Sequence, residues 1–492
     1  MADTHEPGRE PAHPYARRRQ RFYHWLDRRT GIHSLLHEAL DEPIPGGARW
    51  AYVFGSVLLF LFISQTITGI FLALYYVPSA DRAHTTVAYI VKEVTGGSFL
   101  RSLHAYGSSA VVIVVLLHLT QTYLYGAYKG RRELLWISGC VLLALMLAMA
   151  FTGYLLPWDQ KAYFATTVGT NMATDVPVIG TWLKRFMRGG NEMGTLTVSR
   201  FFVAHVFLLP AMLIAFIAAH VYLFRKAGAA GPPSEDPVHP RLPTQRFYPR
   251  QVVMDTIVAL LMILILGALA HFAPTELGPK ANPADTQYIP RPEWYYLPIF
   301  QWLKYWRGAY AIIGIVIVPA VTALLLVCVP FIDRRLERRP WRRPIAVGVF
   351  LFILACFVGM GLMSVRDDQR DPSIAKQVAK QREETEKFTR EPFEPEPAVG
   401  TLVATNVALA DPLAAAGKKI YEGESCDACH GENGVGTNAG PKLAGLTGAK
   451  STEELTHLLR HPTTKMIEGE MKAVEIPDEE MKALVAYLKS LK

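Results

Sequence analysis

Cysteine is scarce: there are five in 492 residues. Cys140, Cys328 and Cys356 fall inside apolar runs and read as small buried side chains, so no disulfide is implied. The cysteines and histidines make no set for a Rieske [2Fe–2S] centre, which needs two of each. Charge is thin too, at 19% of residues, and it is crowded into short loops. No short apolar stretch with a cleavage site opens the chain, so no signal peptide is expected. Residues 1–49 are instead polar and rich in arginine.

What is abundant is apolar surface, half of the chain. Seven apolar runs stand out, at 51–77, 103–125, 134–156, 201–224, 252–272, 310–332 and 344–364. Each has about the 20 residues needed to span hydrocarbon. With seven spans, the N-terminus and the loops after spans 2, 4 and 6 share one side. They carry 22 Lys and Arg, against 12 in the loops on the other side. Basic residues favour the cytoplasmic side, which puts the N-terminus inside and the C-terminus outside. The net charge of +8 then belongs to cytoplasmic loops, and a nucleic-acid partner is a poor explanation for it. Residues 14–49 read as an amphipathic helix against lipid headgroups, and 1–13 as a disordered basic tail.

Spans 2 and 4 each hold two histidines. His104 and His118 are 14 apart, His205 and His220 15 apart. Fourteen helical steps return about 40° short of the starting face, and fifteen land about 60° past it. Both pairs are separated by about 21 Å along the helix, near opposite edges of a hydrocarbon core about 30 Å thick. If the two helices run in the same direction, His104 faces His205 and His118 faces His220. That makes two bis-imidazole clamps, each able to hold a haem iron. A lone intramembrane histidine is commonly a satisfied polar group or a proton site; matched pairs point to function.

Gly55 and Gly69 in span 1 are 14 apart, as are Gly139 and Gly153 in span 3. Glycine weakens a helix, so this spacing suggests close approach, either by two flat haem planes or by tight helix packing. Arg101 and Arg200 precede the outer histidines and suit either haem propionates or the membrane interface. The segment 157–190 is too polar to span and suggests short helices along the outer surface. After span 5, three prolines within 290–298 surround Glu293, Trp294, Tyr295 and Tyr296. A carboxyl in such an apolar wall should hold its proton more tightly, which suits a group taking a proton from a buried hydroxyl.

Residues 366–410 are charged and then proline-rich, and read as a linker. Beyond it, C-D-A-C-H at 426–430 is the attachment motif for haem c, with Cys426 and Cys429 as thioether sites and His430 as an iron ligand. Zinc is the weaker reading, because no second ligand pair follows. A CxxC redox pair is weaker too, because the histidine directly follows the second cysteine. A methionine sulfur can be the sixth ligand; Met466 and Met471 are the candidates.

Four motifs now carry a resemblance: R-S-L-H-A-Y-G (101–107), G-Y-L-L-P-W (153–158), S-R-F-F-V-A-H (199–205) and P-E-W-Y (292–295). Over about 20–365 the chain resembles cytochrome b of the quinol–cytochrome c reductase (bc or b6f) family. The 14 residues between His205 and His220 and the seven spans match a cytochrome b6 joined to subunit IV, the joint falling at 225–250. The implied fold is all-α and polytopic. A four-helix di-haem part (50–226) precedes a three-helix part (227–365), and a small α-helical cytochrome c domain (411–492) resembles bacterial cytochromes c. Met471, seven before Asp478, matches the ligand spacing of that class. Val53 stands where cytochrome b6 has the cysteine of an extra covalent haem, so that haem is not expected.

The resemblance implies two haem b, one haem c and a quinol substrate in a bacterial cytoplasmic membrane, with the c domain outside. It puts Glu293, Tyr295 and the 157–164 loop at an outer quinol-oxidation site, and Arg225 and Asp255 at an inner quinone site. It implies a proton-translocating Q-cycle, a separate Rieske [2Fe–2S] subunit, a cytochrome c or other acceptor, and a homodimer within a larger complex. Other classes would be a di-haem anchor for a dehydrogenase, which lacks P-E-W-Y, and a redox sensor built on the c domain.

Overall fold

The computed structural model describes residues 14–31, 40–234, 242–285, 287–395, 412–437, 440–445, 447, 450–468 and 471–491. The tail expected at 1–13 lies outside them, as does the part of the surface helix at 32–39. The chain forms two compact units, Met1–Pro395 and Glu396–Lys492.

In the first unit, α1 (Pro14–Thr30) covers part of the expected surface helix. A short ribbon then pairs β1 (Pro43–Pro45) with β2 (Thr244–Arg246), an exception to the all-α expectation. Seven helices among the described residues are long and apolar enough to cross a membrane. They make this a multi-pass membrane protein. In chain order the helices are α2 (Val53–Ala73, span 1), α3 (Ala83–Lys92), α4 (Gly97–Leu124, span 2), α5 (Glu133–Leu155, span 3), α6 (Gln160–Met172) and α7 (Gly180–Arg188). Next come α8 (Thr195–Ala227, span 4), α9 (Arg250–Phe272, span 5), α10 (Leu297–Leu303), α11 (Ile313–Ile332, span 6), α12 (Pro344–Arg370, span 7) and α13 (Pro372–Arg390). In hydrocarbon a helix satisfies its own backbone groups, which is why uncharged runs of this length fold this way.

Packing ties the spans in two sets. Val53, Val57 and Leu61 of α2 meet Ala110, Val111 and Val114 of α4 and Leu266 of α9. Leu145 of α5 meets Leu209 and Leu213 of α8. Asp159 caps α6 by accepting a hydrogen bond from Ala162 N, satisfying one of the amides a helix start leaves open.

Two spans are not regular. In α8 and α11 the turns Ala204–Leu208 and Ile313–Ile317 are widened to π geometry. Pro210 and Pro319 follow each turn by two residues. Proline has no N–H for the carbonyl four residues back, and its ring crowds that carbonyl. An extra residue in the preceding turn relieves both.

At one end of the bundle, loops are joined by a buried charge network. Lys129 Nζ donates to Asp333 Oδ1 at 2.8 Å, Tyr128 OH to Asp333 Oδ2 at 2.7 Å, and Arg343 Nη2 to Asp333 Oδ2 at 2.8 Å. Burial alone would raise Asp333, but the hydrogen bonds from Lys129 and Tyr128 and the charge of Arg343 hold it below the usual carboxylate range.

The expected linker at 366–410 is corrected in its first half. Residues 366–370 continue α12, and 372–390 form α13, capped by Asp371. Only a few apolar residues hold this helix, which is why it read as unstructured: Phe388 and Phe393 pack on Val87, Ala88 and Leu277. Residues 396–410 lie outside the described residues.

The second unit is helical: α14 (Pro412–Gly423), α15 (Cys426–His430), α16 (Thr452–Arg460), α17 (Thr464–Glu468) and α18 (Asp478–Ser490). Tyr421, Leu455, Leu459, Met481, Leu484 and Leu488 form its core. Gly417 lets α14 cross directly over the Ala483 carbonyl of α18, where a side chain would collide.

Candidate functional site

Each histidine of α4 and α8 is met by one glycine of α2 or α5. A Cβ added at Gly69 would lie 3.2 Å from His104 Cε1, at Gly55 3.8 Å from His118 Cε1, and at Gly139 3.4 Å from His220 Cε1. At Gly153 it would lie 2.9 Å from His205 Nδ1. The glycines expected beside flat cofactors therefore stand against the imidazoles themselves; at Gly153 a side chain would collide with the ring, at Gly69 it would be tight, and at Gly55 and Gly139 it would be in ordinary contact.

Three imidazoles have their ring orientation held. Thr68 Oγ1 donates to Ser64 O, so at 2.9 Å from His104 Nδ1 it accepts. Ser138 Oγ donates to Leu135 O and in the same way accepts from His220 Nδ1 at 2.8 Å. His205 Nδ1 donates to Met149 O at 3.1 Å, with Thr152 Oγ1 at 3.3 Å. An Nδ1–H donor leaves the Nε2 lone pair for a metal. Thr68, Ser138 and Thr152 each immediately precede Gly69, Gly139 and Gly153. This hydroxyl–glycine pairing is a sequence signal that histidine spacing alone misses. Gly55 follows Phe54 instead.

The His104 and His205 rings are 6.3 Å apart between centroids and inclined at 75°. The π-turn decides the register of the other pair. It places one extra residue between His205 and His220, so fifteen residues do the work of fourteen, and both pairs end about 40° short of a full return. The four histidines thus fit two bis-imidazole irons, each ring backed by a glycine.

Arg101 and Arg200 are already engaged. Arg101 Nη1 donates to Thr275 O at 3.0 Å and to Glu276 O at 3.2 Å. Arg200 Nη1 donates to Phe186 O. Neither sits alone at the interface as the snorkelling alternative would have it.

The segment around Glu293 and the 157–164 loop come together. Phe164 stacks on Tyr288 with centroids 4.9 Å apart. Tyr154 OH donates to Arg291 O at 3.2 Å. Arg291 in turn pairs with Asp368 of α12, Nε to Oδ2 at 2.6 Å. Tyr295 is buried, its ring 4.7 Å from Tyr296 and 5.4 Å from Trp294. The Glu293 carboxylate does not meet the purely apolar wall expected of it: Lys161 Nζ lies 2.8 Å from Oε1. The 157–164 loop is expected at this site, but nothing in the sequence singles out Lys161 within it, because its partner is 132 residues away.

Arg225 and Asp255 meet different partners. Arg225 pairs with Glu42 at 3.4 Å. Asp255 accepts from Gln251 Nε2 at 2.8 Å, and Gln251 Oε1 accepts from Arg49 N at 2.9 Å.

In the second unit Cys426 and Cys429 are unlinked thiols. Burial pushes the Cys426 thiol up, and Glu424 and Asp427 add to this. His430 Nδ1 donates to Pro441 O at 2.9 Å, which again leaves Nε2 for a metal. Of the two methionines, Met471 packs with Cys426 against the domain core. The residues fit a covalently held haem c.

Fold and site define a multi-pass membrane cytochrome with a second, c-type domain. The Cytochrome b/b6/petB family model matches residues 39–228, the Cytochrome b(C-terminal)/b6/petD model 280–381, and the Cytochrome c model 414–492. The chain is 40% identical to the menaquinol:cytochrome c reductase cytochrome b subunit of Bacillus subtilis, over 43% of this chain and 98% of that one. It is 34% identical to cytochrome b of Cereibacter sphaeroides, over 57% of this chain and 65% of that one. It is 32% identical to cytochrome b/c1 of Bradyrhizobium diazoefficiens, over 72% of this chain and 52% of that one. The chain thus spans less than two thirds of the length of the last two. A solved structure described as a hyperthermophilic respiratory complex III is similar at a TM-score of 0.63 and 26% identity, over 74% of this chain and 96% of that one. The chain belongs to the cytochrome b family, with the N- and C-terminal parts of cytochrome b and a cytochrome c domain on one polypeptide.

Proposed function

We propose that this chain is the cytochrome b/c subunit of a bc-type quinol:cytochrome c oxidoreductase that builds a proton gradient by a Q-cycle. The observation that carries the proposal is the one-to-one seating of four paired histidines against four glycines, with Nδ1 of His104, His205 and His220 held as a donor. The names of the Bacillus and Bradyrhizobium relatives and the likeness to a complex III support it.

Quinol binds at the outer face, between the 157–164 loop and the Glu293–Tyr296 segment. Glu293 takes a proton from a quinol hydroxyl, and Tyr295 walls the pocket. When bound, two haem b and one covalent haem c supply single-electron carriage, inward across the bilayer and outward to a cytochrome c or other acceptor. His104 with His205 and His118 with His220 hold the former; Cys426, Cys429, His430 and Met471 hold the latter. Arg101 and Arg200, near the outer histidines in the chain, would pair with the haem propionates. A separate Rieske [2Fe–2S] subunit would accept one electron of each quinol and return it to the c domain, while the paired histidines would serve the inward path of the other. Quinone is reduced at the inner face near Arg225 and Asp255, taking up protons there. The N-terminus is cytoplasmic, the c domain lies on the outer side of a bacterial cytoplasmic membrane, and the complex is a homodimer.

The test is quinol-dependent cytochrome c reduction by the purified complex, with and without its Fe–S partner. Glu293→Gln should slow it at least about tenfold, since general base catalysis typically contributes 10²–10⁴-fold. An undiminished rate in E293Q, or a full rate without the Fe–S partner, would overturn the reading.

A further inference from the structure

The carboxylate of Glu293 has a partner that its proposed role does not use. Lys161 Nζ is 2.8 Å from Oε1, and the side chains are 44% and 34% exposed. The groups facing this pair from the elements around it are few. Tyr154 at the end of α5 has Lys161 Nζ 5.6 Å from its ring centre. Tyr295 follows Glu293 on the same turn, and Arg291 is already bonded to Asp368. Lys161 is therefore the cation that Glu293 answers to. It is the second residue of α6, a helix start fixed by the Asp159 cap.

We propose that Lys161 is a positioning residue for quinol oxidation. It draws the ionised Glu293 carboxylate to the watered side of the outer site and so gives it a second resting place. The inference rests on Glu293 being the proton acceptor, as proposed above. In the first step a quinol O–H bond breaks and a carboxyl O–H bond forms, while the quinol's electron leaves to the acceptors named above. The neutral carboxyl is then no longer held by the ammonium. In the second step its O–H bond breaks, the proton passes to water, and the restored carboxylate returns to Lys161. The ammonium keeps its three protons throughout and acts only through Glu293. An ion pair this exposed contributes little to stability, which leaves placement of the carboxylate as its effect.

The experiment is a double-mutant cycle on the complete complex, reading kcat and KM for a short-chain quinol, with haem content as the check on assembly. Lys161→Met and K161Q should lower kcat about three- to tenfold with KM and haem content unchanged. K161R, which keeps the charge, should restore most of the rate. In an E293Q background, K161M should have no further effect. A K161M loss that persists undiminished in E293Q, or a K161R rate no better than K161M, would overturn the proposal. So would a K161M complex that turns over at the wild-type rate. If E293Q itself turns over normally, the reading of Glu293 fails, and the proposal fails with it.

Discussion

Spans 2 and 4 do the same work with different helices. In α4 the two histidines are 14 residues apart on an uninterrupted α-helix. In α8 they are 15 apart, with a π-turn that includes the first of them. One widened turn makes the two spacings equivalent in rotation. The spacing of ligands in a sequence therefore fixes their geometry only when the helix between them is regular, and a nearby proline signals that it is not. The partners repeat the same logic: α2 and α5 offer Gly55 and Gly69, and Gly139 and Gly153, at identical 14-residue spacing, and both are regular helices.

The largest effect should come from breaking that equivalence. An alanine inserted between Val111 and Val112 turns His118 by about 100° relative to His104, and no π-turn is present in α4 to absorb it. The expected outcome is loss of one b haem per chain by pyridine haemochrome assay. The same insertion between Tyr222 and Leu223, beyond both histidines of α8, should keep both. Next, Gly153→Leu should remove the haem seated at His205, since a Cβ there already crowds the imidazole. Gly267→Leu in α9 is the control, because no atom lies within 4 Å of an added Cβ; it should leave haem content unchanged.

Smaller effects separate the haem seats from the loops that hold the spans together. Asp333→Ala leaves Lys129 and Arg343 buried without their carboxylate. Breaking a buried pair in this way costs about 3 kcal/mol, which a thermal melt should show as lowered stability with haem spectra intact. The smallest effect is on pH dependence. Asp333 is held below its ordinary value of 3.8 in the folded protein. A depressed carboxylate stabilises the fold above the unfolded value, and that contribution fades as pH falls through the folded one. The melting temperature of the wild type should therefore drop on acidification below about pH 4, and that of D333N should drop less steeply.

The spans and their histidines were legible because both rest on long periodic runs of one residue class. The π-turn at Ala204–Leu208 was not, because counting at 3.6 residues per turn assumes the regularity that Pro210 removes. The hydroxyls of Thr68, Ser138 and Thr152 were hidden for another reason: mid-helix hydroxyls are usually spent on their own backbone, and these do that and also accept from an imidazole. Lys161 and the Arg291–Asp368 pair join segments far apart in the chain, which no local pattern records. Helix α13 was misread as linker because it is polar and docks mainly through Phe388.

The measurement that tests the account most directly is a redox-titrated absorption spectrum of the purified complex, with pyridine haemochrome quantification and haem staining on a denaturing gel. The account predicts two b haems at separate potentials and one covalent c haem per chain. A chain that holds fewer than two b haems would contradict the pairing of His104 with His205 and of His118 with His220, and with it the proposed path for electrons across the membrane.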